Sequence, residues 1–207
     1  MIDWSKNIIF IHIPRTAGTS VETLLNIPFT INNLYGINNN NKALQHLTAK
    51  QIKNTIPIHI FNKSWIFSII RHPYSRMVSE FYWRPNLQSS LSPLLKNNTN
   101  FILFLRKVLK IVENKQYHHT LFHDHFIPIY DFLTIDNKLI PNYILRFEHL
   151  HHDISIIKKK LNIDIDLPKL ETTIYSKKYT KSILTPKAKL IIQQIYQKDF
   201  QYFQFKP

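Results

Sequence analysis

Short apolar runs alternate along this chain with segments of helical spacing. The clearest runs cover residues 8–13 and 65–70, a third covers 143–147, and a weaker run at 58–61 predicts a fourth strand. The first two runs lack a strict alternation of apolar and polar positions. This lack indicates strands that are buried on both faces of a parallel sheet.

Helix signals follow these runs. Thr48 begins a Thr-x-x-Gln capping box, and Pro73 suits the first position of a helix. Thr185 before Pro186 is typical of an N-cap, and it predicts one closing helix to about Phe203. Strands that alternate with helices predict an α/β fold with a central, mainly parallel sheet flanked by helices. The other predicted helices cover 19–25, 74–83, 101–112 and 154–161.

Composition fits one folded domain over residues 1–207. Hydrophobic residues make up 44% of the chain and aromatic residues 13%, which is enough to build a core. The 27 Lys and Arg residues against 13 Asp and Glu give a net charge of +14. Such a charge attracts polyanions but does not choose among them, and a solvated basic surface explains it equally well.

The residue types that are missing exclude several kinds of chemistry. The chain has no cysteine, which excludes disulfides, thiolate zinc sites and cysteine nucleophiles. No apolar run approaches the ~20 residues that span a bilayer. The run at 8–13 has no basic leader and no small-residue cleavage site, so we find no signal peptide. We therefore expect a soluble, cytoplasmic protein with no membrane span.

The first candidate site follows the first predicted strand. In open α/β sheets, ligands bind beyond the carboxyl ends of the strands, and helix starts bind phosphate through free N–H groups. One of the only two glycines lies in this segment, where it lets the backbone approach an anion closely. The cation, the hydroxyls and the backbone amides all come from a short stretch: Arg15, Thr16, Ala17, Gly18, Thr19 and Ser20.

This loop differs from an ATP-binding P-loop. The P-loop pattern is G-x-x-x-x-G-K-[ST], and its first glycine and its lysine fall on Ile13 and Thr19 here. Both diagnostic residues are missing, so a nucleoside triphosphate kinase is disfavoured. A plain strand-to-helix turn without a ligand stays an alternative for the segment taken alone.

The second candidate site follows the second predicted strand. Arg71 ends that strand, and Ser79 lies about two turns into the next helix. Arginine recognises phosphate with two parallel hydrogen bonds, so Arg71 and Ser79 are candidates to hold one phosphate group. For Arg76, in the same helix, we favour a structural role.

Together the two segments resemble a known family. The first is similar to the 5'-phosphosulfate loop of the sulfotransferases, h-h-x-K-T-A-G-T-[ST], with Arg15 at the lysine. The second is similar to their 3'-phosphate motif, R-[DH]-P-x-x-R-x-x-S-x-[YF]. The resemblance is to the carbohydrate sulfotransferases, including the heparan sulfate 2-O and 6-O branches and shorter bacterial and viral relatives. Further similar elements lie at 45–52, 125–128, 146–150 and 195–200.

The resemblance implies a single P-loop-like sulfotransferase domain and a role for each motif. The donor is 3'-phosphoadenosine 5'-phosphosulfate (PAPS), the product is 3'-phosphoadenosine 5'-phosphate (PAP), and no metal is needed. His46 is the general base for a sugar hydroxyl. Arg15 with the Thr16–Ser20 segment stabilises the leaving 5'-phosphate, and Arg71 with Ser79 holds the 3'-phosphate. We also place Lys178 and Tyr179, from a basic loop before the last helix, over the donor.

The histidine-rich segment at 117–125 leaves three interpretations open. His119 and His123 are four residues apart, which is one helical face and the spacing of a metal pair. A substrate-facing role for His123 or His125 is the second interpretation, and a polar loop is the third. Because sulfuryl transfer needs no metal, we assign His123 and His125 to the acceptor and expect no metal site.

The resemblance predicts an enzyme that moves a sulfuryl group to a sugar or polysaccharide acceptor, anionic acceptors included. The alternative is a non-catalytic module that binds polyanions or nucleic acid. That alternative uses the charge and the aromatic residues but leaves both loops unexplained, so we expect no nucleic-acid partner.

Overall fold

The computed structural model describes residues 1–38, 43–83, 98–117, 122–162 and 182–207. They belong to two compact units. The first unit takes in Met1–Arg71 and Ile129–Glu171, and the second takes in His72–Pro128 and Thr172–Pro207. Each unit is described by itself below, and the single domain over residues 1–207 stays a prediction.

The first unit contains a four-stranded sheet. Its strand order is β1-β2-β3-β6, in which β1 pairs antiparallel with β2 and the other two pairings are parallel. In the register, Phe10 lies beside Phe67, and Phe67 lies beside Tyr143. The strands in chain order are β1 (Ile2–Asp3), β2 (Ile8–Ile11), β3 (Trp65–Ile70), β4 (Thr134–Ile135), β5 (Lys138–Leu139) and β6 (Tyr143–Arg146), of which β4 and β5 form a small antiparallel pair.

Helices of both units complete the described part of the chain. They are α1 (Gly18–Leu25), α2 (Ala49–Thr55), α3 (Ile58–Lys63), α4 (Pro73–Trp83), α5 (Asn98–Glu113), α6 (Ile129–Leu133), α7 (Leu150–Leu161), α8 (Pro186–Ile195) and α9 (Gln197–Tyr202). Short 3-10 helices lie at Ile31–Asn33, Leu44–His46, His123–Phe126 and Phe147–His149. The predicted fold class is confirmed: a central, mainly parallel sheet is flanked by helices.

The core of the first unit lies between the sheet and two helices. Phe10, Phe67 and Leu145 come from three adjacent strands, and none of them is exposed to solvent. Side chains from α1 and α7 pack on them, including Val21 and Ile157. Every residue of β2 is buried, which explains why its sequence shows no alternation.

One predicted strand is wrong. Residues 58–61 belong to the helix α3, which begins after Pro57 and ends before Ser64. Phe61 is buried while Ile58 is half exposed, so this short apolar run puts only one side against the protein. Four residues are too few to separate a strand from a single helical turn by their pattern.

Both predicted N-caps agree with the structure, but α5 begins at Asn98 and α7 at Leu150, three and four residues before the predicted starts, and one predicted helix end is wrong. The Thr48 hydroxyl accepts from Gln51 N–H while the Gln51 side chain accepts from Thr48 N–H, which completes the predicted capping box. Thr185 caps α8 through Ala188 N–H. The predicted closing helix is broken at Tyr196, whose backbone (φ −116°, ψ 32°) separates α8 from α9.

The second unit has its own core, built from α4, α5 and α8. Phe81, Phe101 and Ile192 are buried there. Arg76 is also buried, and its guanidinium donates to the carbonyl oxygens of His125 and Ile127. Arg76 therefore has the structural role that we predicted from the sequence.

None of the helices in the described ranges is both long enough and apolar enough to cross a bilayer.

Candidate functional site

The loop between β2 and α1 has an unusual backbone. Arg15 and Ala17 both have positive φ angles, 67° and 69°, although neither is glycine. Residues with side chains are held in this left-handed region at a cost of about 1–3 kcal/mol, most often at functional sites. Alternating backbone of this kind turns successive N–H groups toward a common point, which suits an anion.

The start of α1 lacks the cap that the starts of α2 and α8 have. Its N-cap is Ala17, whose side chain cannot accept a hydrogen bond, and no acidic residue lies in its first turn. Ser20 and Val21 donate to the Ala17 carbonyl, whereas the N–H groups of Gly18 and Thr19 have no acceptor among the residues that the structure describes. Uncapped N–H groups at the positive end of a helix dipole bind anions.

The side chains of the loop differ in what they offer. Thr16 is fully buried, and its hydroxyl donates to the Ile13 carbonyl at 2.7 Å, so it closes the turn. Ser20 is buried, while Arg15 and Thr19 are half-buried. The anion-binding capacity of the segment therefore comes chiefly from its backbone, together with the cation at Arg15.

Arg71 joins the loop after β3 to the loop after β2. Its Nη1 donates to the Arg15 carbonyl at 3.0 Å, and its guanidinium lies over the Phe147 ring at 4.0 Å. The flat guanidinium is thus fixed by a ring on one side and by a backbone oxygen at its edge. The sequence placed Arg71 and the Arg15 loop at the same edge of the sheet, and the structure brings them into contact.

His46 lies at the end of the 3-10 helix Leu44–His46, just before the capped start of α2. It is half-buried, and its ring stands edge-on to the ring of His12, with centroids 5.0 Å apart and planes at 79°. His12 is the first residue after β2. The predicted base is therefore next to the strand end from which the anion loop starts.

A buried hydrogen-bonded chain lies under this loop. His12 Nδ1 donates to Glu22 Oε1 at 2.7 Å, and the Tyr35 hydroxyl donates to Glu22 Oε2 at 2.9 Å. Burial lowers the pKa of His12 to about 4, although the hydrogen bond to Glu22 opposes this. Burial acts to raise the pKa of Glu22, but the hydrogen bond from His12 brings it below its ordinary value. His12 is thus neutral and Glu22 is ionised near pH 7.

Position 18 must be glycine because the His12 ring lies against it. A Cβ atom at position 18 would lie 1.9 Å from His12 Nε2. Such a distance is far inside van der Waals contact, and the obstacle is an imidazole that Glu22 holds in place. The structure thus adds a steric reason for this glycine to the close approach of an anion that the sequence suggested.

Sequence reasoning missed His12, Glu22 and Tyr35. His12 was treated as part of an apolar strand, although a histidine at the end of a buried run was itself a signal. Glu22 lies one turn after Gly18 in α1, so its side chain falls on the same helical face. These two observations could have found the pair, whereas nothing in the sequence points to Tyr35.

The other predicted site residues belong to the second unit or lie outside the description. Ser79 is buried in α4. His125 is buried, with Nδ1 at 3.0 Å from Glu80 Oε2 and its ring stacked on Trp83. His123 Nδ1 lies 3.0 Å from the Gln116 carbonyl oxygen. Lys178, Tyr179 and His119 lie outside the described residues.

Comparison with known proteins gives one result. A family model described as the sulfotransferase family matches residues 1–206, which is almost the whole chain. The search of curated proteins and the search of solved structures each gave no match.

Proposed function

Because this chain belongs to the sulfotransferase family, and is thus an enzyme of sulfuryl transfer, we propose that its donor is PAPS and its acceptor a carbohydrate hydroxyl. The observation that carries the donor assignment is the uncapped start of α1, which follows two residues with left-handed backbone conformation. Arg71 is held beside this segment by its hydrogen bond to the Arg15 carbonyl. The family match covers residues of both units, which supports a single catalytic domain.

The chemistry is an in-line displacement at sulfur. The acceptor oxygen forms a bond to sulfur while the bond from sulfur to the bridging oxygen of the 5'-phosphate breaks, and PAP leaves. Negative charge grows on that leaving oxygen. The backbone N–H groups of Gly18 and Thr19 and the cation of Arg15 are suited to stabilise it, because fixed donors aimed at a developing charge lower a barrier most.

The proton of the acceptor hydroxyl goes to His46 in this proposal. A histidine is the usual general base near neutral pH, and its half-buried position lets it meet both solvent and substrate. Its ring contact with His12 places it at the strand end from which the anion loop begins. This location supports the base assignment that the family resemblance gave.

The remaining assignments are those made from the sequence: the family resemblance gives Arg71 and Ser79, the basic loop before the last helix gives Lys178 and Tyr179, and the histidine-rich segment gives His123 and His125. In this proposal Arg71 and Ser79 hold the 3'-phosphate, and Lys178 and Tyr179 cover the donor. His123 and His125 contact the acceptor. Of these six residues, Arg71 has support from the structure for its location, since its contact with the Arg15 carbonyl keeps it beside the loop.

The test of the donor is thermal unfolding in the presence of nucleotides. PAP at about 100 times its dissociation constant should add about 2.7 kcal/mol to the unfolding free energy. AMP lacks the 3'-phosphate and should add much less, as should mixed oligonucleotides. Single-turnover transfer of labelled sulfate from PAPS to desulfated polysaccharide then tests the acceptor.

The same measurements separate the alternatives. Equal stabilisation by AMP and PAP would overturn a 3'-phosphate site. Stabilisation by oligonucleotides but not by PAP would instead support the polyanion-binding module. Arg106→Ala is the matched control for Arg15→Ala, since Arg106 is exposed on α5. Only the change at Arg15 should weaken PAP binding.

A further inference from the structure

The mechanism above leaves a buried acid–base pair unused. His12 and Glu22 are both about 6% exposed, and their hydrogen bond of 2.7 Å is accompanied by a second one from Tyr35 to the other carboxylate oxygen. A buried ionised carboxylate is expensive unless its oxygens are satisfied. Here each carboxylate oxygen of Glu22 accepts a hydrogen bond, so the fold provides for the buried charge.

The pair fixes which nitrogen of His12 carries the proton. An ionised carboxylate only accepts, so Nδ1 carries the hydrogen and Nε2 keeps its lone pair. The orientation of the ring follows from the same hydrogen bond. The Nε2 edge of the ring is the part that a Cβ at Gly18 would meet, at 1.9 Å.

Two functional groups rest against this fixed ring. One is the Gly18 turn, which begins α1 and supplies its uncapped N–H groups. The other is His46, whose ring stands edge-on to His12 at a centroid distance of 5.0 Å. The His12 ring, which Glu22 holds in place, therefore limits how far the Gly18 turn and the His46 ring can move toward it.

We propose that His12 and Glu22 are a positioning pair. They hold the Gly18 turn in the position that donor binding requires, and they hold the His46 ring in the orientation that the acceptor requires. This inference rests on the proposed function, because the base role of His46 belongs to that proposal. Neither His12 nor Glu22 touches the reacting atoms; both act through Gly18 and His46.

The first experiment tests the loop with a double-mutant cycle in the full chain. Gly18→Ala should weaken PAP binding, measured by calorimetry, by at least about 10-fold, since the new methyl group must displace the His12 ring. Position 18 is helical and would otherwise accept alanine. In the His12→Ala background the obstacle is absent, so the same change at Gly18 should weaken binding by less than about 2-fold. Equal losses in both backgrounds would overturn the steric role of His12.

The second experiment tests the base with Glu22→Gln, which keeps the size of the side chain and removes its charge. We expect kcat to fall by about 10- to 100-fold, the usual loss when a residue that orients an active-site side chain from behind is changed. KM for PAPS should change by less than about 3-fold, since glutamine leaves the His12 ring beside the Gly18 turn. Tyr35→Phe removes one hydrogen bond from Glu22 and should lower kcat by about 2- to 10-fold. Glu113→Gln, at an exposed position on α5, is the matched control and should leave kcat unchanged.

The outcomes separate this inference from the proposed function. An active wild-type enzyme whose kcat is unchanged in Glu22→Gln, with only its melting temperature lowered, would show a purely structural pair and overturn the inference alone. A wild-type protein that neither binds PAP nor transfers sulfate would overturn the proposed function, and the positioning role with it.

Discussion

Ala17 carries a side chain in a backbone conformation that favours glycine. At φ 69° the cost for alanine is about 1–2 kcal/mol, while a glycine would lose about 0.5–1 kcal/mol more chain entropy on folding. We predict that Ala17→Gly leaves the unfolding free energy unchanged or raises it by up to about 1 kcal/mol. Ala17→Val should lower it by more than about 1 kcal/mol, because a β-branched residue is strained there.

Urea unfolding of the two variants beside the wild type measures both effects. Ala43→Val is the control, since Ala43 is half-buried like Ala17 but has an ordinary backbone conformation (φ −71°, ψ 113°). A destabilising Ala17→Gly with a harmless Ala17→Val would contradict the left-handed backbone of this loop.

His46 is the residue whose chemistry is most directly testable. Its replacement by alanine should lower single-turnover sulfation by about 100- to 10,000-fold, the usual contribution of a positioned general base. PAP affinity should stay nearly unchanged, because the proposed role of His46 is toward the acceptor and not toward the nucleotide. His59→Ala, at an exposed position on α3, serves as the control and should keep full turnover.

The same assay on His123→Ala and His125→Ala decides where the proton goes. Near-normal turnover in His46→Ala together with an inactive His123 or His125 variant would move the base to that segment. Full activity in all three variants would mean that a carboxylate or water takes the proton.

Sequence reasoning succeeded for residues whose roles are local. Gly18 and Arg15 stand in a motif that follows one strand, and Arg71 follows the neighbouring strand, so the sheet geometry predicted that both segments lie at the same edge of the sheet. It failed for His12 and Glu22 because the sequence gives only a separate hint for each residue, and the hydrogen bond between them forms only when β2 and α1 pack together. A hydrogen bond between two side chains ten residues apart leaves no periodic trace in a sequence.

At the scale of elements, α1 and α2 differ in how their first turns are satisfied. α2 has a complete capping box, whereas α1 has an alanine at the N-cap and no acidic residue in its first turn. We predict that Thr19→Asp stabilises the protein without ligand by about 0.3–1 kcal/mol, since a carboxylate there interacts favourably with the helix dipole. The same carboxylate should weaken PAP binding by at least about 10-fold, because it repels the donor phosphate.

The matched control is Lys50→Asp, which adds a carboxylate to the first turn of α2 at an exposed position. Melting temperatures and PAP calorimetry for both variants give the comparison. If the two variants bind PAP equally well, the start of α1 is not the phosphate site.

Element prediction depended on length and on capping. β3 was predicted with both of its ends correct, because a run of five apolar residues interrupted only by Ser68, and bounded by Ser64 and Arg71, fits a buried strand. The run at 58–61 was too short for its period to be informative, and it is helical. The break at Tyr196 was also missed, because this tyrosine is fixed by burial of its ring, with its hydroxyl bonded to the Phe126 carbonyl.

At the scale of the whole molecule, the buried pair makes stability depend on pH. His12 has an ordinary pKa of 6.5 and a folded pKa of about 4, so the unfolded chain binds more protons between these values. The unfolding free energy therefore falls as the pH drops from 6.5 to 4, by at most about 1.4 kcal/mol per pH unit from this residue. The lowered pKa of Glu22 acts in the same direction at lower pH.

Urea unfolding between pH 4 and 7.5 measures this slope. We expect His12→Gln to flatten the curve between pH 6.5 and 4, and His59→Gln to keep the wild-type slope, since His59 is exposed. Parallel curves for the wild type and His12→Gln would show that His12 titrates normally in the folded protein.

The contact between Arg71 and the Arg15 carbonyl bears on how this loop can evolve. A carbonyl oxygen is the same whatever side chain its residue carries, so Arg71 keeps its acceptor when codon 15 mutates. An exchange between arginine, which this chain has at position 15, and lysine, which the family motif has there, therefore leaves this hydrogen bond of Arg71 in place. A lineage can exchange lysine and arginine at position 15 in a single step, with no intermediate in which Arg71 has lost its carbonyl acceptor.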